Sequence, residues 1–362
     1  MDFGLSEEQR LLHESLVRYL EAEVPVSRVR EIAARDDGHD PALWSKLAEM
    51  GVLGVLVPEA AGGSGLGLLD AAVAATALGR CVAPAAFLGT AVMAVIALRE
   101  AGSDAQRSEW MSRIAAGEVR IAVAATELFA RRAGTGFHAE SGKLSGRSIL
   151  VLDACADAIL CPTPDGRIAL VASDAPGLGV EPVETIDRTR RFAEIVAENV
   201  APTEWLGGGE ARPGALRRMI DAGRVIVAAD ALGASERALE KAVAYARQRV
   251  QFGRPIGSFQ AVKHLCAEMA AELEPARSLV WYAAHAFDAI PAEASLVAAH
   301  AKAHLCEIGT FIVRTATEVH GGIGFTDAHD LHLWFKRVGA DRQMLGSPDA
   351  AREDAARQQG WV

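Results

Sequence analysis

Apolar positions recur with helical spacing over most of this chain and shorten to strand-like runs only in its middle. Near the start, Leu12, Leu16 and Leu20 return every four residues, and Ser6 stands three residues before Gln9, the spacing of a capping box. Further helical stretches are predicted at 41–50 and 69–78. After about residue 118 the texture changes. Apolar runs at 121–125, 148–152, 158–160 and 168–172 are separated by Gly, Asp, Pro and Thr clusters, the pattern of a small antiparallel β-domain. From Pro213 the helical period returns at greater length, over 215–246, 261–289 and 292–319. Four-helix packing is the natural way to bury stripes that long. The expected fold is α+β in three parts: an N-terminal helical domain over 1–118, a middle β-domain over 119–203 and a C-terminal helical bundle over 204–362.

Composition narrows the function classes. Half of the 362 residues are hydrophobic and the formal net charge is −10. A large core follows from the first number. The second excludes nucleic acid and anionic membrane surfaces as partners, and any phosphate-bearing ligand must be met by local arginines. The five cysteines are scattered, odd in number and without a Cys-x-x-Cys pair, so reduced, packed thiols are expected. The N-terminus carries acidic residues and no secretory apolar stretch, and the apolar run at 52–57 is too short to span a bilayer. A cytoplasmic protein is expected, without a membrane partner.

Three segments carry candidate chemistry. The glycines at 62–67 lack the spacing and βαβ context of a dinucleotide loop, and a surface loop over a cleft is expected there. At Phe252-Gly253 a long helical pattern stops, Pro255 fixes its own φ, and a new amphipathic pattern begins near Ser258. This helix–turn–helix carries Arg249, Gln251 and Arg254, and either presents guanidinium forks and amides to a phosphate or is an ordinary turn with solvated arginines. Downstream, His320, His329 and His332 share a stretch with Asp327 and Asp330, but the i, i+3 spacing of His329 and His332 is a poor metal pattern and no metal is expected.

The turn Arg249-Val-Gln-Phe-Gly-Arg-Pro-Ile-Gly-Ser-Phe-Gln260 and the segment Glu318-Val-His-Gly-Gly-Ile-Gly-Phe-Thr326 resemble the two cofactor signatures of the acyl-CoA dehydrogenase family. The resemblance extends to the opening Phe3-Gly-Leu-Ser-Glu-Glu-Gln9 and to the string from Trp44 through Val57-Pro-Glu59 to Gly65. It implies FAD, held partly by a neighbouring subunit, with Arg249, Gln251, Phe252, Gln260, Gly321, Gly322 and Thr126 as cofactor contacts. It also implies a CoA thioester substrate, approached by Asp221 and Arg224, and an electron acceptor such as electron-transfer flavoprotein. In that family a carboxylate takes the α-proton while the β-hydrogen leaves as hydride to the flavin.

The resemblance fails at the base. The family places its catalytic carboxylate at one of two positions, and these are Leu345, in Met344-Leu-Gly-Ser347, and Gly223, just before Arg224. Neither takes a proton. The middle domain departs too: the family's flavin-ring string matches Leu150-Val-Leu152 without tryptophan or hydroxyl, and its Thr-Glu-Pro-Gly loop reads Thr126-Glu-Leu-Phe-Ala-Arg-Arg-Ala-Gly134. Glu318 stands where many relatives have Gln, a carboxylate that would repel a pyrophosphate. Three readings follow. The chain is the base-lacking subunit of a heteromeric enzyme, assembled with a homologous partner that carries the base. Or it is an active homotetramer in which Asp221, Asp341 or Glu127 substitutes. Or it is a non-enzymatic scaffold that has lost flavin.

Overall fold

The computed structural model describes residues 4–129, 135–153 and 155–362. Phe3 of the opening motif and residues 130–134 of the Thr126 loop lie outside the described residues.

The N-terminal layer comprises α1 (Glu7–Glu23), α2 (Val26–Ala33), α3 (Pro41–Glu49), α4 (Leu68–Arg80), a π-helical turn (Phe87–Ala94), α5 (Val95–Ala101) and α6 (Asp104–Ala115). The Ser6–Gln9 capping box forms and opens α1, and Leu16 and Leu20 are fully buried. Each such burial stabilises by roughly 2 kcal/mol. The glycine-rich loop folds back on the preceding strand of chain: Ser64, Gly65 and Leu66 donate to the carbonyls of Gly54, Val57 and Val55. It is an exposed loop tied by its backbone to its own domain.

Among the described residues eight strands follow: β1 (Ile121–Val123), β2 (Gly136–Glu140), β3 (Lys143–Leu152), β4 (Ala158–Pro162), β5 (Ile168–Ala172), β6 (Leu178–Val183), β7 (Phe192–Val200) and β8 (Glu204–Trp205). They form two four-stranded sheets, ordered β1-β4-β5-β8 and β2-β3-β7-β6, around an apolar core that includes Phe137, Leu144, Ile159 and Ile195. The domain is not purely antiparallel, because β1 pairs with β4 in parallel. That pairing is set from outside: Thr90 in the π-helical turn accepts from the Ile121 amide at 2.8 Å and donates to its carbonyl at 3.2 Å, docking β1 on the helical layer.

The third layer is α7 (Pro213–Gln248), a short β9–β10 hairpin (Val250–Gln251 and Arg254–Pro255), α8 (Gln260–Ala289), α9 (Pro291–His320), α10 (Leu331–Gln343) and α11 (Pro348–Gln358). Helix α7 runs about 54 Å at 1.5 Å per residue. Its middle is buried on every side, which explains its weak amphipathicity. At the crossing of α4 and α7 a Cβ on Gly233 would stand 1.9 Å from the Thr76 carbonyl oxygen, so only glycine permits this approach. Helix α9 is long and apolar enough to cross a membrane by length and composition, but most of it is buried against its neighbours in the bundle.

Candidate active site and cofactor groove

Helices α7 and α9 both end at one pole of the bundle, and the two sequence signatures meet there. Tyr245, in the last turn of α7, stacks on His320, the last residue of α9, with ring centroids 4.5 Å apart. Arg249 caps α7 and Gly321 caps α9 with φ +67. Arg249, Gln251 and Gln260 are exposed, and Phe252 is 92% exposed. The hairpin is internally tied, with Gln251 Nε2 donating to the Val250 carbonyl at 2.8 Å. A Cβ on Gly321 or Gly322 would meet nothing within 4 Å, so their backbone is open to a ligand. Both glycines line a groove of about 810 Å³ that also takes in Phe311, Arg314, Glu318 and Phe325. The open glycine faces, the Arg314 fork and the apolar walls suit the adenosine and pyrophosphate part of a dinucleotide, and the Glu318 carboxylate works against the pyrophosphate.

The other pole holds the expected base positions. Leu345 and Gly223 face each other: a Cβ on Gly223 would stand 2.6 Å from Leu345 Cδ1 and 2.9 Å from Met93 Sδ. Arg224 is 1% exposed, donates from Nε to the Leu345 carbonyl at 3.3 Å, and pairs with Asp354 of α11. Its guanidinium also lies 5.1 Å from the Phe129 ring centroid. Arg224 thus fixes the segment carrying Leu345. Asp354 also receives Arg217 at 3.0 Å; burial alone would raise the Asp354 pKa, but these two arginines hold it below the usual carboxylate range.

The three fallback carboxylates each hydrogen-bond to other partners through one oxygen and leave the second buried without a hydrogen bond, and the structure does not bring them together. Asp221 points away from Gly223, ion-paired to Arg217 at 3.0 Å and bonded to Ser295 at the start of α9; burial pushes its pKa up. With Arg217, Arg218 and Arg212 it borders a cleft of about 510 Å³ between the first turns of α7 and α9. Glu127 accepts from the Ile149 amide at 3.1 Å and bridges its own loop to β3. Asp341 is fully buried and paired with Arg190 from the loop before β7.

Asp341 belongs to a charge cluster that the sequence reading missed. Arg190 also meets Asp230 at 3.1 Å, and Arg337 takes Asp230 in a two-pronged contact with both bonds at 2.9 Å. Arg337 continues to Thr189 and through it to Asp187. Burial opposes both acids' charges, yet Arg190 and Arg337 hold Asp230 down to about 2. Asp341 goes the other way, pushed up to about 7 by burial and by the Asp230 charge. One local signal pointed here: Asp230 is the lone charge in the apolar run 225–234.

This cluster decides how much of a flavin the chain accommodates by itself. The space beside Leu152, where the family's ring-contacting string falls, is a cavity of only about 20 Å³, walled by Arg190, Asp230, Arg337, Phe87 and Ile226. Thr126 Oγ1 makes a long 3.4 Å contact to the Leu150 carbonyl, and Leu150 takes a left-handed φ of +51. The glycine groove has room and donors for the adenosine-pyrophosphate arm of FAD, whereas the space beside Leu152 leaves little room for a ring. The two poles are also far apart, since the 25 residues of α7 from Arg224 to Gln248 span about 37 Å. They cannot belong to one compact site.

The comparisons with known proteins agree with this anatomy. Residues 6–118 match the acyl-CoA dehydrogenase N-terminal domain and residues 214–360 the acyl-CoA dehydrogenase C-terminal domain. The chain is 33% identical to acyl-CoA dehydrogenase IpdE2 of Mycolicibacterium smegmatis, over 95% of this chain and 96% of that protein. Among solved structures, the ChsE4–ChsE5 complex from Mycobacterium tuberculosis superposes with a TM-score of 0.92 at 27% identity, over the whole of both chains. A steroid ACAD, the Tcur3481–Tcur3483 G363A variant, superposes with a TM-score of 0.87 at 31% identity, over 98% of each chain. With two domains matched and a relative aligned nearly end to end, the chain belongs to the acyl-CoA dehydrogenase family of FAD-dependent oxidoreductases.

Proposed function

We propose that this chain is the base-lacking subunit of a heteromeric acyl-CoA dehydrogenase, lending its Arg249 turn and Gly321-Gly322 segment to FAD seated mainly in a homologous partner. The observation that carries the reading is the filling of Gly223's space by Leu345, opposite a cofactor groove that remains open. When bound, FAD supplies the hydride acceptor for α,β-dehydrogenation of a CoA thioester. Arg249 would donate to phosphate, and the open glycine backbone would let the dinucleotide approach closely. Leu345 and Arg224 keep this chain's own base position closed, so the α-proton is taken by a partner carboxylate. Both structural relatives named above carry paired protein names, one of them a complex, and the other is called a steroid ACAD, which supports a heteromer and a bulky acyl chain. Electron-transfer flavoprotein is the proposed acceptor of the reducing equivalents.

The test is to purify the chain alone and co-expressed with a homologue that carries Glu at the position of Gly223, then record the flavin spectrum and its bleaching by a panel of acyl-CoAs. Flavin and bleaching only in the two-chain preparation are expected. Bleaching by this chain alone would return the base to Asp221, Asp341 or Glu127, and a colourless protein in both preparations would make it a scaffold.

A further inference from the structure

The flavin reading does not absorb the His/Asp stretch that follows the glycine pair. Among the described residues no group of three or more His, Cys, Asp or Glu side chains is placed to hold a metal ion. The stretch instead meets helix α2 of the N-terminal layer. Arg30 donates from Nε and Nη2 to Asp330 Oδ1 at 3.2 and 3.0 Å, and from Nη2 to the Asp327 carbonyl at 3.0 Å. His332 Nε2 lies 3.1 Å from Asp327 Oδ1 and 3.2 Å from Arg30 Nη2, completing the junction. On the opposite side, the His329 ring sits 4.7 Å from His320 and 6.4 Å from Tyr245. Residues 326–330 are thus gripped between α2 and the common pole of α7 and α9.

That grip matters because of what precedes it. Gly321 and Gly322 have open space around them, and what holds the segment locally is the Gly321 cap to the Thr317 and Glu318 carbonyls and the turn bonds of its own 3-10 helix. Glycine loses more conformational freedom on ordering than any other residue, and a ligand that had to order it would bind more weakly. A fixed fork with three hydrogen bonds supplies the restraint from outside, and arginine's geometry suits it better than lysine's. Arg28, two residues earlier on the same helix, makes contacts of another kind: it pairs with Asp40 and Glu31 inside the N-terminal layer.

We infer that Arg30 is a positioning residue for the flavin-contacting glycine segment, clasping Asp330 and the Asp327 carbonyl so that the N-terminal domain pre-orders the backbone of Gly321 and Gly322. The inference rests on the reading that this groove contacts FAD.

The experiment measures FAD release, by recovery of free-flavin fluorescence on dilution, from the flavin-loaded protein in its two-chain form. Arg30→Ala and Asp330→Asn should each speed release on the order of fivefold, the size of one half-exposed charged contact. The double variant should exceed neither single, and Arg30→Lys should fall between. Arg28→Ala is the control, with release unchanged whatever the loss of its Asp40 pair does to the thermal midpoint. Release from Arg30→Ala equal to that from Arg28→Ala, while Arg249→Ala accelerates it, overturns the clasp and leaves the flavin reading standing. If Arg249→Ala also has no effect, or the protein carries no flavin, both fall together. Should Arg30→Ala fail to assemble, Asp330→Asn decides by hydrogen exchange over 321–331: faster exchange with faster release supports the clasp, and faster exchange with unchanged release sinks it.

Discussion

Leu345 Cδ1 lies 2.6 Å from where a Cβ on Gly223 would stand, so the two positions expected to hold a catalytic base open onto one volume, and here a leucine fills it. The leucine at this place is therefore built into the packing. Met93 from the π-helical turn closes the same space from a third side.

Two opposing effects decide what Gly223→Ala does. Helix propensity favours Ala by about 1 kcal/mol in the interior of α7. Overpacking against the buried Leu345 and Met93 costs about 1–3 kcal/mol. We expect net destabilisation in urea unfolding, and a reversal to stabilisation when the same change is made in a Leu345→Ala background. Equal effects in both backgrounds would mean that the loop carrying Leu345 yields freely.

Arg249 is exposed, so its loss should spare the fold. Arg249→Ala should weaken FAD binding by roughly 10- to 100-fold, the size of a lost charge-assisted hydrogen bond. Flavin absorbance after gel filtration reads the effect, and the thermal midpoint of the flavin-free protein should stay within error of wild type. Unchanged flavin content would remove this turn from the site.

How much of this was legible depends on the range over which each feature is specified. The capping box at Ser6, the strand at 168–172 and the helical stripes after Pro213 are set by neighbours a few residues apart, and all three appear as read. Strand β7 was not read, because its apolar positions are broken by Glu194 and Glu198, and the parallel β1–β4 pair depends on the π-helical turn docking at Ile121. At the site, the identities of Gly223 and Leu345 could be read, but not that they touch, since only packing of α10 against α7 brings them together. Arg190 carries no local mark to separate it from Arg188 and Arg191; its burial appears only once Asp230 and Asp341 surround it.

The Arg190–Asp341 pair gives a pH dependence with a definite sign. Burial holds the Asp341 pKa up at about 7, against roughly 3.9 in an unfolded chain. Between those values the unfolded chain has released a proton that the folded protein retains. Stability from this group is therefore full below about pH 4 and is lost as pH rises through 7, by at most about 1.4 kcal/mol per unit. Asp230, held near 2, acts oppositely and only in acid. Subtracting the urea-unfolding profile of Asp341→Asn from that of wild type isolates the group. The difference should fall steadily between pH 4.5 and 7, a window set by these pKa values; a flat difference would mean that Asp341 is ionised in the cluster throughout.

Asp221 separates the heteromer from a self-sufficient enzyme. It sits two residues before Gly223 and its pKa is raised by burial, which alone would commend it as a base. Its geometry argues otherwise. One oxygen is engaged by Ser295 and the Arg217 guanidinium, which bind α7 to α9, and Arg217 reaches on to Asp354 of α11. A base so occupied would have to break an ion pair at every turnover, whereas a tether must never let go. Asp221→Asn should therefore cost stability, about 1–3 kcal/mol from an unmatched Arg217, and leave acyl-CoA-dependent bleaching of the two-chain enzyme within about twofold of wild type. The stability loss should appear in urea unfolding of this chain alone, where no partner compensates. Abolished bleaching with assembly and flavin content intact would instead make Asp221 the proton acceptor, and the partner's carboxylate dispensable.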